Sequence, residues 1–266
     1  MSEVENIKKL SNVQDENGIL SIYLNTDFTE GSQQGGEWKI RLKNGLKKLK
    51  EYAEASESKE QLKTYKSTAE KADQRIHDLQ ADMQKGLVLI VDSKGSILLE
   101  KILQVPIETD FQWEKHLVVD QLDFLQKDYP AAGILLVQQR DVILLDTALG
   151  EIRDQRKFSW ELESEDWKQY QGTAARAKTA SGSTHVDELQ QRFEENQQRW
   201  YKKLAPTLDK EVKKRGLEGV YLVGSKEYVR DLEQHLGAKI MDTIPKNLIS
   251  KPAHEIVNEV YGEIVR

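Results

Sequence analysis

Gly219-Val-Tyr-Leu-Val-Gly224 reads as a buried strand, a short apolar run rich in β-branched and aromatic residues between two glycines. Downstream, Ser225 stands where it can cap a helix running to Leu236, Ala238 to Thr243 predicts one more short strand, and a last helix is expected from Pro252 to the C-terminus. Upstream, Val186, Leu189, Phe193, Trp200, Leu204, Leu208 and Val212 recur at helical spacing and predict a long helix from His185. Pro206 is expected to kink or split it, because proline removes a backbone donor and clashes with the preceding turn. Before that helix, Gly133–Gln138, Asp141–Thr147 and Glu151–Trp160 predict three strands with two tight turns, an antiparallel meander. Three antiparallel strands, a long helix, a strand, a helix, a strand and a helix make an α/β mixed sheet of ribonuclease-H-like order. Unrelated functions share that order.

The first third has its own pattern. Gly18 to Asn25 predicts a strand and Asp27 to Gly36 a polar, glycine-rich loop. Trp38, Leu42, Leu46, Leu49 and Tyr52 then mark one helix. After a turn near 55–59, Leu62, Tyr65, Ala69, Ala72, Ile76, Leu79 and Met83 mark a second, expected antiparallel to the first. Gly86–Asp92 and Ser96–Leu103 predict a hairpin, and Leu117–Tyr129 a short helix ended by Pro130. The expected organisation is an N-terminal α/β domain with a helical hairpin over 1–105 and the ribonuclease-H-like domain over 106–266, divided near Val105-Pro106.

Composition narrows the chemistry. The absence of cysteine excludes disulfides, a cysteine nucleophile, iron–sulfur centres and thiolate zinc. A net charge of −6 over 266 residues argues against a general nucleic-acid coat but not against one local basic face. No apolar run approaches the roughly 20 residues that span a bilayer, and the N-terminal stretch lacks the apolar core of a signal peptide. A cytoplasmic protein without membrane or DNA partners is expected. The five histidines have no i,i+4 pairing and no His-Glu-x-x-His, and neither a P-loop nor Gly-x-Ser-x-Gly occurs. No metal and no cofactor is expected. Gln33-Gln34-Gly35-Gly36 reads as a loop feeding a helix. Asp92, Asp141 and Asp146 are the carboxylates from which a metal-dependent nuclease would be built, but two of them sit beside turns, where aspartate bonds its own backbone.

The stretch 172–184, Gly-Thr-Ala-Ala-Arg-Ala-Lys-Thr-Ala-Ser-Gly-Ser-Thr, is small and polar, with Arg176 and Lys178 and no acid. Its composition predicts a mobile, weakly cationic loop delivered to a helix N-terminus, where free N–H groups and the dipole favour a phosphate or carboxylate. The other reading is a connector followed by a helix capped by Ser183 or Thr184. This loop, the helix with Arg192, Asn196 and Arg199, and the Gly-Val-Tyr-Leu-Val-Gly-Ser strand together resemble the central domain of archaeo-eukaryotic peptide-chain release factors and Pelota. They resemble more closely a bacterial release-factor-like family related to ribosome quality-control hydrolases. The matching segments are Ala132–Ile152, Ser181–Ala205 and Leu217–Leu232. The resemblance implies a ribosome-associated translation factor with ribosome and tRNA as partners, acting in ribosome rescue, release or protection. In active members a Gly-Gly-Gln loop positions water against the peptidyl-tRNA ester. Here Gly182-Ser183-Thr184 occupies that place without the glutamine, so weak or absent hydrolysis is expected; an active enzyme would need Gly182 and Ser183 to shape the loop and Thr184 or His185 to orient the water.

Basic residues offer docking faces. Six cations and no acid lie between Trp38 and Lys50, with Lys39, Lys43, Lys47 and Lys50 on one helical face. A second set is Arg199, Lys202, Lys203, Lys210, Lys213, Lys214 and Arg215, offset by Asp209 and Glu211. With Arg176, Lys178 and Arg192, Lys39, Lys43, Lys47 and Arg199 are the candidate RNA contacts; the plain alternative for each run is a solvated helix face. A metal-dependent nuclease and a non-catalytic adaptor using the helical hairpin are the readings from other classes.

Overall fold

The computed structural model describes residues 12–27, 36–56, 58–160 and 182–264, with the side chains of 56 and 182–192 excepted. It is an α/β protein with two sheets. The first sheet holds β1 (Gln14–Asn25), β2 (Gly86–Asp92), β3 (Ile97–Leu103) and β4 (Asp110–His116), in the order β3-β2-β1-β4. Every pairing in it is antiparallel. Two helices, α1 (Glu37–Ser56) and α2 (Lys59–Asp78), form the expected hairpin. Ser58 caps α2 in a reciprocal capping box with Gln61, and a 3-10 turn at Leu79–Ala81 ends the helical run before Met83. Trp38, Leu42, Tyr65, Ala72 and Ile76 from the helices pack with Leu20, Ile22, Leu24, Leu87 and Leu89 from the strands. The strand residues alternate, so one sheet face carries all of them.

Strand β4 was not foreseen. Asp110, Glu114, Lys115 and His116 make it read as a charged linker, yet Phe111 and Trp113 alternate and pack against the helix-side core. It lies beyond the break expected after residue 105 and joins the first sheet, which moves that break. The chain groups into a first unit of 1–131, 147–153 and 257–266 and a second of 132–146 and 154–256. In the first unit, α3 (Asp120–Asp128) follows β4. Leu149 and Gly150, both with positive φ (54° and 77°), make the two-residue turn between β6 and β7 below. A non-glycine residue there is held in place: Leu149 is buried, and its N–H donates to the Tyr129 carbonyl at 2.8 Å. Lys101 and Glu151, 2.6 Å apart, fix the same turn.

The second sheet holds β5 (Ala132–Val137), β6 (Asp141–Ala148), β7 (Glu151–Ser159), β8 (Val220–Gly224) and β9 (Ile240–Ile244), in the order β7-β6-β5-β8-β9. Gln138-Gln139-Arg140 joins β5 to β6 and Leu149-Gly150 joins β6 to β7, connections so short that only antiparallel neighbours can use them. β8 is parallel to β5 and β9 parallel to β8. This is the ribonuclease-H-like arrangement. A parallel neighbour needs a crossover, supplied by α4 (Gly182–Arg215) between β7 and β8 and by α5 (Lys226–Glu233) between β8 and β9. Ser225 occupies the N-cap of α5, although its side chain makes no capping bond. The last helix is α6 (Ala253–Ile264).

Pro206 does not split α4, which is continuous over 34 residues. The proline is on the exposed side, and the carbonyl it leaves without a donor belongs to Lys202, also exposed, where water can take the missing bond. At the other end of α4 stands an ion cluster. Arg215 donates through Nη1 to Asp146 on β6 at 2.8 Å, through Nη2 to Asp154 on β7 at 2.6 Å and through Nε to Glu211 at 3.0 Å. Arg156 adds an ion pair to Glu211 at 3.1 Å. Hydrogen bonding by Arg215 holds the Asp154 and Glu211 carboxyls below their ordinary values of 3.8 and 4.5. Burial opposes the Arg215 charge, but its three carboxylate partners outweigh that and raise its pKa.

Groups with depressed folded pKa values contribute stability above their unfolded pKa and lose it as pH falls through the folded value. Arg215→Met should therefore cost roughly 2 kcal/mol at pH 7, between the cost of breaking an exposed pair and that of a fully buried one, because Asp154 is half-exposed. Urea unfolding should show the gap between wild type and variant narrowing as pH drops below about 4; a gap constant down to pH 3 would contradict the role given to these carboxylates.

Candidate functional site

Where β7 ends and α4 begins, the second unit builds an aromatic and amide anchor. Trp160 is the last residue described before the 161–181 stretch, and its N–H donates to the Arg140 carbonyl at 2.8 Å. Its ring lies 5.1 Å from that of Phe193 and 6.2 Å from that of Trp200, nearly parallel to the latter at 15°. The Arg140 guanidinium sits 5.7 Å from the Phe193 centroid, a cation–π contact. Two side chains of α4 hold the β5–β6 turn: Gln197 Nε2 donates to the Gln139 carbonyl and the Tyr201 hydroxyl to the Gln138 carbonyl, each at 2.8 Å. Gln197 and Tyr201 are buried, and burial pushes the Tyr201 phenol up. Gly182 lies about 16 Å up the helix from Phe193 at 1.5 Å per residue. The anchor therefore fixes the direction of α4, and its first turn carries the candidate residues.

Residues 130–262 match the family described as bacterial archaeo-eukaryotic release factor family 5. A protein of Bacillus subtilis strain 168, called uncharacterized protein YocB, is 36% identical over 260 residues, which are 97% of each chain. The chain belongs to bacterial archaeo-eukaryotic release factor family 5. Among solved structures, one described as an archaeal protein is 16% identical with a TM-score of 0.35, covering 100% of this chain and 74% of that one. The archaeal translation termination factor aRF1 is 13% identical with a TM-score of 0.34, covering 98% and 73%.

In this family 5 protein, Gly182, Ser183, Thr184 and His185 are the first residues of α4. Sequence reasoning placed the first three in a loop and began the helix at His185; the helix starts a turn earlier. Arg176 and Lys178 lie outside the described residues, as do Gln33, Gln34 and Gly35 and the stretch expected to be mobile up to residue 181. Arg192 is on α4, with its side chain outside the description, and Arg199 is exposed on the same helix.

Lys39, Lys43 and Lys47 are exposed on α1, as their spacing predicted. The sequence window that ended at Lys50 hid two acids one turn further on. Lys47 faces Glu51 at 3.6 Å and Lys50 faces Glu54 at 3.7 Å. Such exposed i,i+4 pairs are weak and yield to a stronger anion. The second basic set is thinned more severely, since Arg215 is spent on the carboxylates of β6, β7 and α4.

The carboxylates raised for a nuclease each have protein work. Asp92 Oδ1 accepts the N–H groups of Lys94 and Ser96 at 2.9 and 2.7 Å, closing the β2–β3 turn. Asp141 accepts from the Ser159 hydroxyl at 2.7 Å and pairs with Lys157 at 3.2 Å. Asp146 belongs to Arg215. Among the described residues no group of three or more histidines, aspartates or glutamates is arranged to hold a metal ion, and no helix is long and apolar enough to cross a membrane.

Sequence reasoning missed the anchor. Its signals were a tryptophan closing a strand and glutamines at 138, 139 and 197, which look like surface residues until the turn they bond is known. Tyr201→Phe should lower stability by about 1–2 kcal/mol, because it leaves the Gln138 carbonyl without its donor in a partly buried place. Urea unfolding checks this: the midpoint should fall with the slope unchanged, and an unshifted midpoint would remove the bond from the anchor.

Proposed function

We propose that this protein engages the ribosome and tRNA in rescue, release or protection of ribosomes, with weak or no peptidyl-tRNA hydrolysis. Family membership supports the translational setting. One observation supports the second half: Gly182-Ser183-Thr184, which the resemblance matches to the Gly-Gly-Gln of active release factors, lies in the first turn of a helix. A glycine pair lets a loop take positive φ and approach an ester closely. Ser183 brings a Cβ, and Thr184 is β-branched with few rotamers and too short to reach where a glutamine amide would. What this turn retains is its backbone. The first N–H groups of a helix have no intrahelical acceptor, and the dipole favours an anion beside them. A nucleotide phosphate suits that position better than an ester awaiting water. The candidate RNA contacts Lys39, Lys43, Lys47, Arg176, Lys178, Arg192 and Arg199 serve the same reading as phosphate partners.

Single-turnover peptide release from stalled ribosomal complexes tests it. Wild type should release peptide on the order of 10²–10³ more slowly than a Gly-Gly-Gln factor, the usual cost of one missing polar group in a reactive site. Thr184→Ala and His185→Ala should then leave the residual rate unchanged. Rapid release by wild type, abolished in either variant, would show that the chemistry survives with a new residue.

A further inference from the structure

Among the described residues, β4 pairs only with β1 and is an edge of its sheet. The parity of its backbone follows from the neighbouring pair. Thr26 N–H donates to the Lys85 carbonyl on the β2 side, so the even-numbered residues of β1 face β2 and the odd-numbered ones face β4. In the β1–β4 register Tyr23, Ser21 and Ile19 lie opposite Asp110, Gln112 and Glu114. These three residues of β4 therefore turn inward, and Phe111 and Trp113 turn their N–H and carbonyl groups outward. The Phe111 N–H is already taken by Asp110 Oδ1 at 2.9 Å, which blunts one end of the edge. Among the described residues, the Trp113 N–H and carbonyl have no hydrogen-bond partner.

A groove runs beside this edge. It has a volume of about 510 Å³ and lies between Leu49, Tyr52 and Ala53 of α1 and residues 110–114 of β4. A smaller cavity of about 210 Å³ extends it toward Lys48 and Thr109. Gly45 makes the groove possible, since a Cβ there would fall 2.3 Å from the Phe111 ring. Tyr52, 61% exposed, overhangs it.

We propose that this groove binds an extended polypeptide by strand addition to β4, and that the segment it takes alternates basic and apolar residues. A strand residue opposite Trp113 exchanges two main-chain hydrogen bonds with it, and its side chain falls on the helix side of the sheet, into the groove under Tyr52. The next residue, opposite Gln112, projects from the other face between Asp110 and Glu114, each a diagonal neighbour about 7–8 Å away. A lysine or arginine there meets two carboxylates, and a second one opposite Glu114 meets that carboxylate directly. The Leu49, Tyr52 and Ala53 side of the groove and the acidic face thus select alternate residues of one strand. This inference stands apart from the proposed role of α4.

The test uses the whole chain and the labelled peptide acetyl-Thr-Lys-Val-Lys-Val-Thr-amide, followed by fluorescence anisotropy. Saturable 1:1 binding is expected, at least tenfold tighter than for the same peptide with glutamate in place of both lysines. N-methylation of the first valine, which removes the amide meant for Trp113, should abolish it, and Glu114→Lys should weaken it at least fivefold. Absence of binding, equal affinity for the lysine and glutamate peptides, or indifference to N-methylation would overturn the proposal. So would a dimer in sedimentation equilibrium that Tyr52→Ser dissociates, because the edge would then belong to a second copy of the chain.

Discussion

Everything around α4 depends on how that helix is tied to its sheet. A strand parallel to β5 requires a crossover, and a crossover of 34 residues is a long lever unless both ends of its packed part are held. Arg215 holds one end through carboxylates from β6, β7 and α4 itself. Gln197 and Tyr201 hold the other through two carbonyls of the β5–β6 turn. One tie is ionic and the other neutral, so acid loosens the first and spares the second. Beyond Phe193 the helix continues for about three turns to Gly182. The direction of those turns, and with it the position of the candidate residues, is set by the two ties.

This arrangement separates holding from reacting. The anchor uses the buried Gln197 amide and Tyr201 phenol and the half-buried Trp160 and Trp200 indoles, each with protein partners. The tip offers glycine, serine, threonine and histidine on a helix N-terminus, a composition suited to receiving an anion and poorly suited to positioning water. That division is what the proposed role, binding without cleavage, calls for.

Much of the second unit was legible in its sequence because its signals are local. The meander has turns of three and two residues, and Gly219–Gly224 is apolar throughout. What escaped has non-local causes. β4 is a strand only because β1 offers an open edge and the helices offer a cover for Phe111 and Trp113; its charges otherwise read as a linker. Pro206 is harmless because it faces water, which a linear pattern of apolar spacing does not decide. Arg215 sits in a run of cations and looks like its neighbours, but two of its three partners come from 61 and 69 residues upstream. The start of α4 was misplaced by three residues, the usual blur of a helix end whose first turn is small and polar. The candidate site residues rest on family resemblance, since nothing in their spacing singles them out.

Co-sedimentation with ribosomes across a series of salt concentrations tests the central claim most directly. Wild type should pellet with ribosomes at low salt, with log affinity falling linearly in log salt as phosphate counterions are displaced. The variant with Lys39, Lys43 and Lys47 all changed to glutamate should bind more weakly and with a shallower slope. A protein that stays in the supernatant at every salt concentration, with intact folding, would contradict the account.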